Sequence, residues 1–395
     1  MRCISAALLL CAAASTSHLF ADTWLVLPLA NQTNKTSLQW IGESAAEAIG
    51  EALTREGLLI VDRTNRKEAE RRLALRPNAQ WTRGSILKLA ESLDADKVVF
   101  GAFELAASAT PGAMGTLTLN TECVNVRDLR REGSFSETGP IEDLAALQSH
   151  LSWQILKKFL PESAQSEEKY RQARTIIRLD AMENYVRGLL ATTTDSQERF
   201  FQQALKLDAR YSQAAFQYGK LLYLKGSDQA AATWLEKVQP TDPHYRESSF
   251  FLGLAKFHLG DYRSSEAAFQ RVAREVPLSE VLNNIGVAQM RLGYAESIEN
   301  LRKALEGDDK DPTYHFNLGL ALMLRGTYSE AAEQFRATLD RDPQDQNATK
   351  MLGRSIRPPA GPMPKDEIAG FERLKVEYEE SAYQQLKALM KPHKK

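Results

Sequence analysis

The segment TYHFNLGLALMLRGTYSEAAEQFRATLDRDP, residues 313–343, decides the fold of the C-terminal half of the chain. It contains two helical patterns, separated by Gly326 and ended by Pro343. Glycine permits the turn that ends the first helix, and proline cannot continue the hydrogen-bond ladder of the second. A second glycine, Gly319, lies inside the first helix, where the missing side chain lets a neighbouring helix approach closely. The segment therefore predicts a helical hairpin.

The two glycine positions recur along the chain at a fixed period. Successive copies are 33 or 34 residues apart, and the two series stay in step. A period of this length is the sequence signature of stacked helical hairpins that bury their apolar faces against one another. The C-terminal half is therefore predicted to be a superhelix. The glycines within first helices are Gly219, Gly253, Gly286, Gly319 and Gly353, and the turn glycines are Gly226, Gly260, Gly293 and Gly326.

The repeated pattern resembles the tetratricopeptide repeat, most closely in residues 248–277 and 313–343. The resemblance implies an all-α superhelix over residues 181–356, with about five repeats and a capping helix, that binds a protein or peptide partner in its concave groove. We place the repeats at residues 181–211, 212–245, 246–278, 279–311 and 312–345, and the capping helix at residues 346–356.

The concave groove of such a superhelix is lined by the first helix of each unit, because its exposed side chains face away from the second helix. Counting from the unit boundaries predicts a surface rich in aromatic rings and methionine, with a few cations. Such residues dominate interface hot spots and adaptable peptide-binding surfaces. The alternative is that several of them pack between helices or under the tail. The predicted partner-binding residues are Phe216, Lys220, Tyr223, Phe250, Phe257, His258, Asn283, Met290, Arg291, Phe316 and Met323.

Some tetratricopeptide proteins hold the free C-terminal carboxylate of a peptide with a Lys and an Asn of the first helix. No unit of this chain carries both residues in that order. We therefore predict that a free carboxylate does not determine binding.

The tail is predicted to form an amphipathic helix over residues 364–392. Its apolar residues recur every three or four positions, which places them on one face of a helix. Packing in cis on the last repeat is one interpretation, and contact with a partner or a membrane surface is the other. A helix packed in cis could occlude the groove. The apolar residues are Ile368, Phe371, Leu374, Tyr378, Ala382 and Leu386.

The N-terminal region, residues 22–161, alternates strand and helix patterns, which predicts an α/β domain with a mixed sheet flanked by helices. Three short motifs carry a resemblance: VLPLAN at 26–31, LIVDR at 59–63 and ADKVVFG at 95–101. They resemble the TolB N-terminal-like family, which includes the related domains of the flagellar protein FlgO and the curli secretion protein CsgG. The resemblance implies a domain that works at the bacterial cell envelope.

The first 21 residues have the features of a secretory signal peptide. Arg2 precedes an apolar stretch of small and aliphatic residues over positions 4–14, and a polar region follows that ends in Leu19-Phe20-Ala21 before Asp22. We expect a periplasmic or secreted bacterial protein with no transmembrane segment after signal removal. An N-terminal anchor helix is the alternative, although the apolar stretch is short for a bilayer core of about 30 Å.

No motif of catalysis, metal binding or cofactor binding is found. The chain lacks a His-Glu-x-x-His pair, a phosphate loop, a dinucleotide glycine fingerprint and a Gly-x-Ser-x-Gly elbow. Its 50 basic and 51 acidic residues give a net charge of −1, which does not favour nucleic-acid binding. Cys123 is the one cysteine after the signal peptide, so no intramolecular disulfide is expected. We therefore predict a protein without catalytic residues, metals or cofactors.

These observations predict a non-catalytic protein-interaction scaffold of the bacterial envelope. Its α/β domain would dock one component, and its superhelix would bind another. Two alternatives stay open. The first is an oligomeric accessory of secretion or outer-membrane assembly, with which self-association is compatible. The second is a small-molecule receptor or enzyme that uses a cleft in the N-terminal domain.

Overall fold

The computed structural model describes residues 22–33, 35–76, 80–107, 114–162, 164–172, 177–379, 382–383, 386 and 390. The predicted signal peptide, residues 1–21, lies outside them. An α/β domain with a mixed sheet is followed by a helical repeat region, which confirms the predicted fold class. Among the described residues, no helix combines the length and the apolar content that crossing a membrane requires.

The sheet of the N-terminal domain has the strand order β3-β1-β4-β5-β6, and β2 extends it by pairing with β4. β1 pairs in parallel with β3 and β4, whereas β4, β5 and β6 are antiparallel. The strands are β1 (Thr23–Val26), β2 (Ala30–Asn31), β3 (Leu59–Ile60), β4 (Lys97–Ala106), β5 (Thr116–Asn125) and β6 (Arg131–Pro140). The helices are α1 (Trp40–Arg55), α2 (Arg63–Arg72), α3 (Arg83–Ser92) and α4 (Leu144–Phe159).

Both faces of this sheet are covered by helices. Neighbouring side chains of a strand point to opposite faces, so each central strand contributes to two apolar clusters. Trp24 and Val99 pack with α1 and α4 in one apolar cluster. Their neighbours Leu25 and Val98 pack with α2 and α3 in another. Cys123 is fully buried, and burial raises the pKa of its thiol to about 12.

The helical half contains five successive hairpins in the described residues, preceded by α5 (Glu167–Gln172) and followed by the single helix α16 (Gln346–Ile356). The hairpins stack directly on the first domain, since Gln213 donates a hydrogen bond of 3.1 Å to Glu51 of α1. The hairpins are α6 (Leu179–Leu190) with α7 (Thr194–Leu207), α8 (Ser212–Leu224) with α9 (Asp228–Leu235), α10 (Tyr245–His258) with α11 (Tyr262–Ala273), α12 (Ser279–Leu292) with α13 (Glu296–Gly307), and α14 (Pro312–Met323) with α15 (Tyr328–Arg341).

The two glycine series occupy equivalent places in successive hairpins. Each turn glycine follows the first helix and has a left-handed φ between 74° and 82°, a conformation that other residues rarely adopt. Each glycine within the first helix of a hairpin faces a large apolar side chain of its own second helix, whereas Gly353 lies in the single helix α16 and faces none. A Cβ at Gly253 or Gly319 would lie 2.7 Å from the ring of Phe269 or Phe335. The glycine punctuation therefore fixes both the turn and the closeness of the paired helices.

We expect Gly253→Ala and Gly353→Ala to change stability in opposite directions. At Gly253 the added Cβ would overlap the fully buried ring of Phe269, and overpacking of this kind costs about 1–3 kcal/mol. At Gly353, in α16, the added Cβ has no heavy atom within 4 Å. Alanine there gains about 1 kcal/mol of helix propensity. Thermal unfolding of the two variants measures the difference, and shifts of the same sign would contradict it.

The tail differs from the single helix predicted over residues 364–392. Residues Lys365–Glu367 form one turn of 3-10 helix, and residues 371–379 run without helix or strand hydrogen bonding. Helical conformation returns at Ala382, Tyr383, Leu386 and Met390. The prediction is therefore wrong for the first half of the segment. The physical reason is that the backbone of residues 373 and 375 bonds to side chains of the repeats instead of to its own helix.

A groove filled by the chain's own tail

The candidate functional site is the face formed by the first helices of the hairpins, α8, α10, α12 and α14, which we call the groove. Residues 371–379, which we call the tail strand, lie along it. The tail strand runs opposite to the order of the repeats, because Arg373 contacts α14, Lys375 contacts α12 and Tyr378 contacts α10. The occupant of the groove is thus an extended segment of the same chain.

Two asparagines of the groove bind the backbone of the tail strand. Asn317 accepts a hydrogen bond of 3.0 Å from the N–H of Arg373 and donates one of 2.7 Å to its C=O. Asn284 makes the same pair with Lys375, both at 2.8 Å. In extended chains, residues two apart present their backbone groups to the same side. Each carboxamide therefore takes the place that a neighbouring strand has in a sheet.

A third asparagine connects this pair. Asn283 donates a hydrogen bond of 3.0 Å to the C=O of Arg373 and accepts one of 2.8 Å from Asn317. Asn283 also donates to Asn284 at 3.1 Å. All three side chains are fully buried. A buried carboxamide needs partners for its polar atoms, so this network requires an occupant with free backbone groups.

The acidic residue of the tail strand, Glu372, is held by a cation of the groove. Arg291 Nη1 lies 2.8 Å from Glu372 Oε1, and the Glu372 side chain is 3% exposed. Arg291 also donates to the hydroxyl of Tyr262, and its guanidinium lies 4.7 Å from the centre of that ring. Burial disfavours the charged form of Arg291, but the hydrogen bond and negative charge of Glu372, together with Tyr262, outweigh it and raise the pKa of Arg291.

The two basic residues of the tail strand meet aspartates that also cap helices. Arg373 Nη2 lies 2.6 Å from Asp345 Oδ2, and its guanidinium is stacked 3.6 Å from the centre of the Phe316 ring. Lys375 forms an ion pair with Asp311. Asp345 is the N-cap of α16 and Asp311 that of α14. Burial opposes ionisation of Asp311, but the hydrogen bond from Lys375 and those from Thr313 lower its pKa overall.

Aromatic contacts fix the far end of the tail strand. The ring of Tyr378 lies edge-on against Phe250, with 5.0 Å between ring centres, and its hydroxyl accepts a hydrogen bond of 3.1 Å from Arg246. Further along, the guanidinium of Arg246 lies 3.6 Å from the centre of the Tyr383 ring, which is fully buried. The tail is thus anchored from α10 to α16.

Of the predicted partner-binding residues, Phe250, Asn283, Arg291 and Phe316 contact the tail strand directly. Met290 and Met323 are buried in an apolar cluster that also contains Met363 and Ile368, from the segment leading to the tail strand.

The other five predicted residues lie on α8 and α10, with neighbours from the repeats. Phe216 stacks on His244, Lys220 pairs with Glu247, Tyr223 packs against Phe251, Phe257 packs on Tyr262, and His258 pairs with Asp228. Their role in partner binding stays a prediction.

Sequence reasoning missed Asn284, Asn317, Asp311 and Asp345. A signal for the asparagines exists, since each precedes the glycine of its first helix by two positions, at Gly286 and Gly319. Counting groove positions from the unit boundaries instead predicted the residues one position earlier, Asn283 and Phe316. The aspartates have the ordinary features of helix N-caps, so nothing in the sequence marks their second role.

A second concave site lies in the N-terminal domain. A cavity of about 430 Å³ opens where β1 ends, beside β4, and is lined by Leu27, Phe100 and Trp81, with the carboxylates Glu43 and Glu70. The crevice at the carboxyl ends of parallel strands is where α/β sheets commonly bind ligands. In the described ranges, no group of three or more His, Cys, Asp or Glu side chains is placed to hold a metal ion.

The sequence profile of the tetratricopeptide repeat family matches residues 193–246 and 291–346, so the chain contains tetratricopeptide repeats. The comparison with curated proteins found no match. Among solved structures the chain is similar to YrrB, described as a TPR protein with an unusual peptide-binding site. That alignment has 19% identity, covers 40% of this chain and 82% of YrrB, and has a TM-score of 0.35. Similarity to MamA from Desulfovibrio magneticus RS-1 has 21% identity, covers 40% and 92% of the two chains, and has a TM-score of 0.37.

Proposed function

We propose that this chain is a non-catalytic protein-interaction scaffold whose repeat groove binds an extended segment of a partner protein. The observation that carries the proposal is the pairing of Asn284 and Asn317 with both backbone groups of tail residues two positions apart. Backbone groups are common to all peptides, so the same carboxamides fit any extended segment that enters the groove. The tail strand acts as an internal occupant that a partner has to displace.

Displacement is physically reasonable because an incoming extended segment can replace the backbone hydrogen bonds and ion pairs of the tail strand one for one. A tethered occupant competes at an effective concentration in the millimolar range when its linker is short. The groove is therefore closed to weak partners and opens to tight or abundant ones. Because only chains with an empty groove can bind a partner, the apparent Kd equals the intrinsic Kd divided by the fraction of chains whose groove is empty.

A variant with a released tail tests this proposal. Glu372→Arg, Arg373→Glu and Lys375→Glu, combined in the full chain, place like charges opposite Arg291, Asp345 and Asp311 and leave the groove unchanged. The probe is a fluorescent peptide of residues 370–379, capped at both ends. We expect the triple variant to bind this peptide at least about 10-fold more tightly than the natural chain, measured by fluorescence anisotropy.

The control is Val376→Glu in the tail of the full chain. Val376 is 55% exposed, so a new charge there leaves the tail strand in place, and peptide binding should match that of the natural chain. Absence of peptide binding to the triple variant would contradict the proposal. Binding of the capped peptide would also support the prediction that a free carboxylate is not needed.

The envelope location is part of the same proposal. It is supported by the signal-like features of residues 1–21 and by the resemblance of residues 22–161 to the TolB N-terminal-like family. In this proposal the α/β domain docks a component of the cell envelope, while the repeats bind the extended segment. Fractionation of a bacterial host tests the location. A processed chain that begins near Asp22 outside the cytoplasm supports it, and an unprocessed cytoplasmic chain contradicts it.

Small-molecule binding in the N-terminal domain is a second candidate, favoured by the cavity of about 430 Å³. Its aromatic walls, Phe100 and Trp81, and its polar Gln32 and Asn120 suit a compact ligand with an apolar body and hydrogen-bonding groups. Thermal-shift screening of the full chain against amines, sugars and nucleotides tests it. A stabilisation that disappears in Trp81→Ala supports this function, and no stabilisation by any class contradicts it.

A further inference from the structure

The side chains of the tail strand are paired with the groove in a fixed order. An acidic residue at 372 meets Arg291, basic residues at 373 and 375 meet Asp345 and Asp311, and an aromatic residue at 378 meets Phe250. The backbone contacts of the asparagines set the register, because they fix which tail residues stand opposite α12 and α14. Side-chain order and backbone register are thus determined by the same surface.

The groove needs these partners whichever segment occupies it. The Asp345 side chain is 6% exposed, and the side chains of Arg291 and Asp311 are 26% and 19% exposed. A partly buried charge left without its counter-ion is destabilising, and a like charge placed opposite costs more. An occupant with the wrong charge order therefore loses affinity at each of these positions, even if its backbone makes the hydrogen bonds to Asn284 and Asn317.

Positions 376 and 377 of the tail strand carry no such demand. Val376 and Glu377 are exposed, whereas Leu374 is half-buried and packs against the apolar core of the repeats. The positions that discriminate are therefore 372 to 375 and 378.

We propose that the partner of the groove presents an extended segment with the order acidic, Arg, apolar, Lys, any, any, Tyr, equivalent to residues 372–378 of the chain itself. This inference rests on the proposed function of the groove and specifies its partner. The segment lies with its acidic end at Arg291 and its tyrosine at Phe250. The tail strand is then an internal copy of the recognised sequence, which keeps the groove closed until a partner segment replaces it.

Peptide substitutions test the order without changing the protein that binds. The host is the full chain with the released tail described above, and the reference is the capped peptide of residues 370–379. We expect Arg373→Ala in the peptide to weaken binding about 10–100-fold, because it removes an ion pair and a cation–π contact. Val376→Ala should stay within about 2-fold, since its side chain is exposed.

A charge exchange then tests the register. For this exchange the host carries only Arg373→Glu and Lys375→Glu in its tail, so that its own Glu372 stays repelled by a glutamate at position 291. Arg291→Glu in this host should weaken binding of the reference peptide, and Glu372→Arg in the peptide should restore it. If the host binds the reference, a scrambled peptide and the alanine variants equally well, the partner order is wrong while the proposed function stands. If the host binds no peptide, both fail.

Discussion

We expect Arg66→Ala to lower the free energy of unfolding of the α/β domain by about 3–5 kcal/mol. The Arg66 side chain is 4% exposed and is paired with Glu43, while its Nε lies 3.4 Å from Glu70 Oε1. It also donates a hydrogen bond of 3.3 Å to the C=O of Val26. Removing the guanidinium leaves the Glu43 carboxylate buried without a counter-ion, and leaves Glu70 only its ion pair with Lys67 at 3.5 Å. The loss is large because charges in that position cannot recover their hydration.

Urea unfolding, with hydrogen exchange of the β4 amides reporting the α/β domain alone, measures this effect. Arg71→Ala on the same helix is the matched control, because Arg71 is 75% exposed and its pair with Glu68 is screened by solvent. Changing Arg66, Glu43 and Glu70 together to methionine should recover most of the loss, since hydrophobic replacement of a buried ion cluster is often neutral. Similar small losses for Arg66→Ala and Arg71→Ala would contradict the burial argument.

The double variant Asn284→Ala and Asn317→Ala should release the tail strand from the groove. Asn284→Ala leaves both the N–H and the C=O of Lys375 without a partner, and Asn317→Ala leaves the N–H of Arg373 without one, while Asn283 still donates to the C=O of Arg373. Each of these three losses costs about 1–2 kcal/mol. Together they weaken docking of the tail by about 3–6 kcal/mol. Exchange of the Arg373 and Lys375 amides with solvent should therefore become about 10²–10⁴-fold faster, at tenfold for each 1.4 kcal/mol.

Hydrogen exchange of the full chain, resolved to the tail amides, checks this expectation. Asn300→Ala is the matched control, because Asn300 lies on a second helix, α13, and donates to Gln289 rather than to the tail. It should leave the exchange of Arg373 and Lys375 unchanged. If the double variant and this control gave the same exchange rates, the asparagines would not be the groups that hold the tail strand.

The repeat region was predictable because its signal is a backbone requirement. A left-handed turn and a close helix contact admit few residues other than glycine. Gly260 marks the turn and Gly253 the close contact of one hairpin, and glycines mark the same two places in the neighbouring hairpins even where the surrounding residues vary. The mixed sheet was predictable because strand patterns alternate with helix patterns over residues 22–161, an order that is typical of a sheet flanked by helices.

The conformation of the tail was not predictable from its spacing. Ile368, Phe371, Leu374 and Tyr378 follow a helical period, but periodicity describes only which side chains are apolar. It does not show that another part of the chain offers carboxamides to the backbone at Arg373 and Lys375. Tertiary contacts override the local preference here, as they commonly do for short segments. The same reasoning explains why the aspartates of the groove were missed, because their role depends on residues that follow in the tail.

The tail strand has a mechanical consequence for the repeat array. Stacked hairpins contact only their neighbours, so the curvature of the array depends on small rotations between successive hairpins. The tail spans several units, since it contacts Phe250 on α10, Arg291 on α12, Phe316 on α14 and Asp345 at the start of α16. The docked tail therefore limits how far these hairpins can separate along the concave side of the array. A partner segment with a different spacing between these contacts would change the curvature of the hairpins that the tail spans.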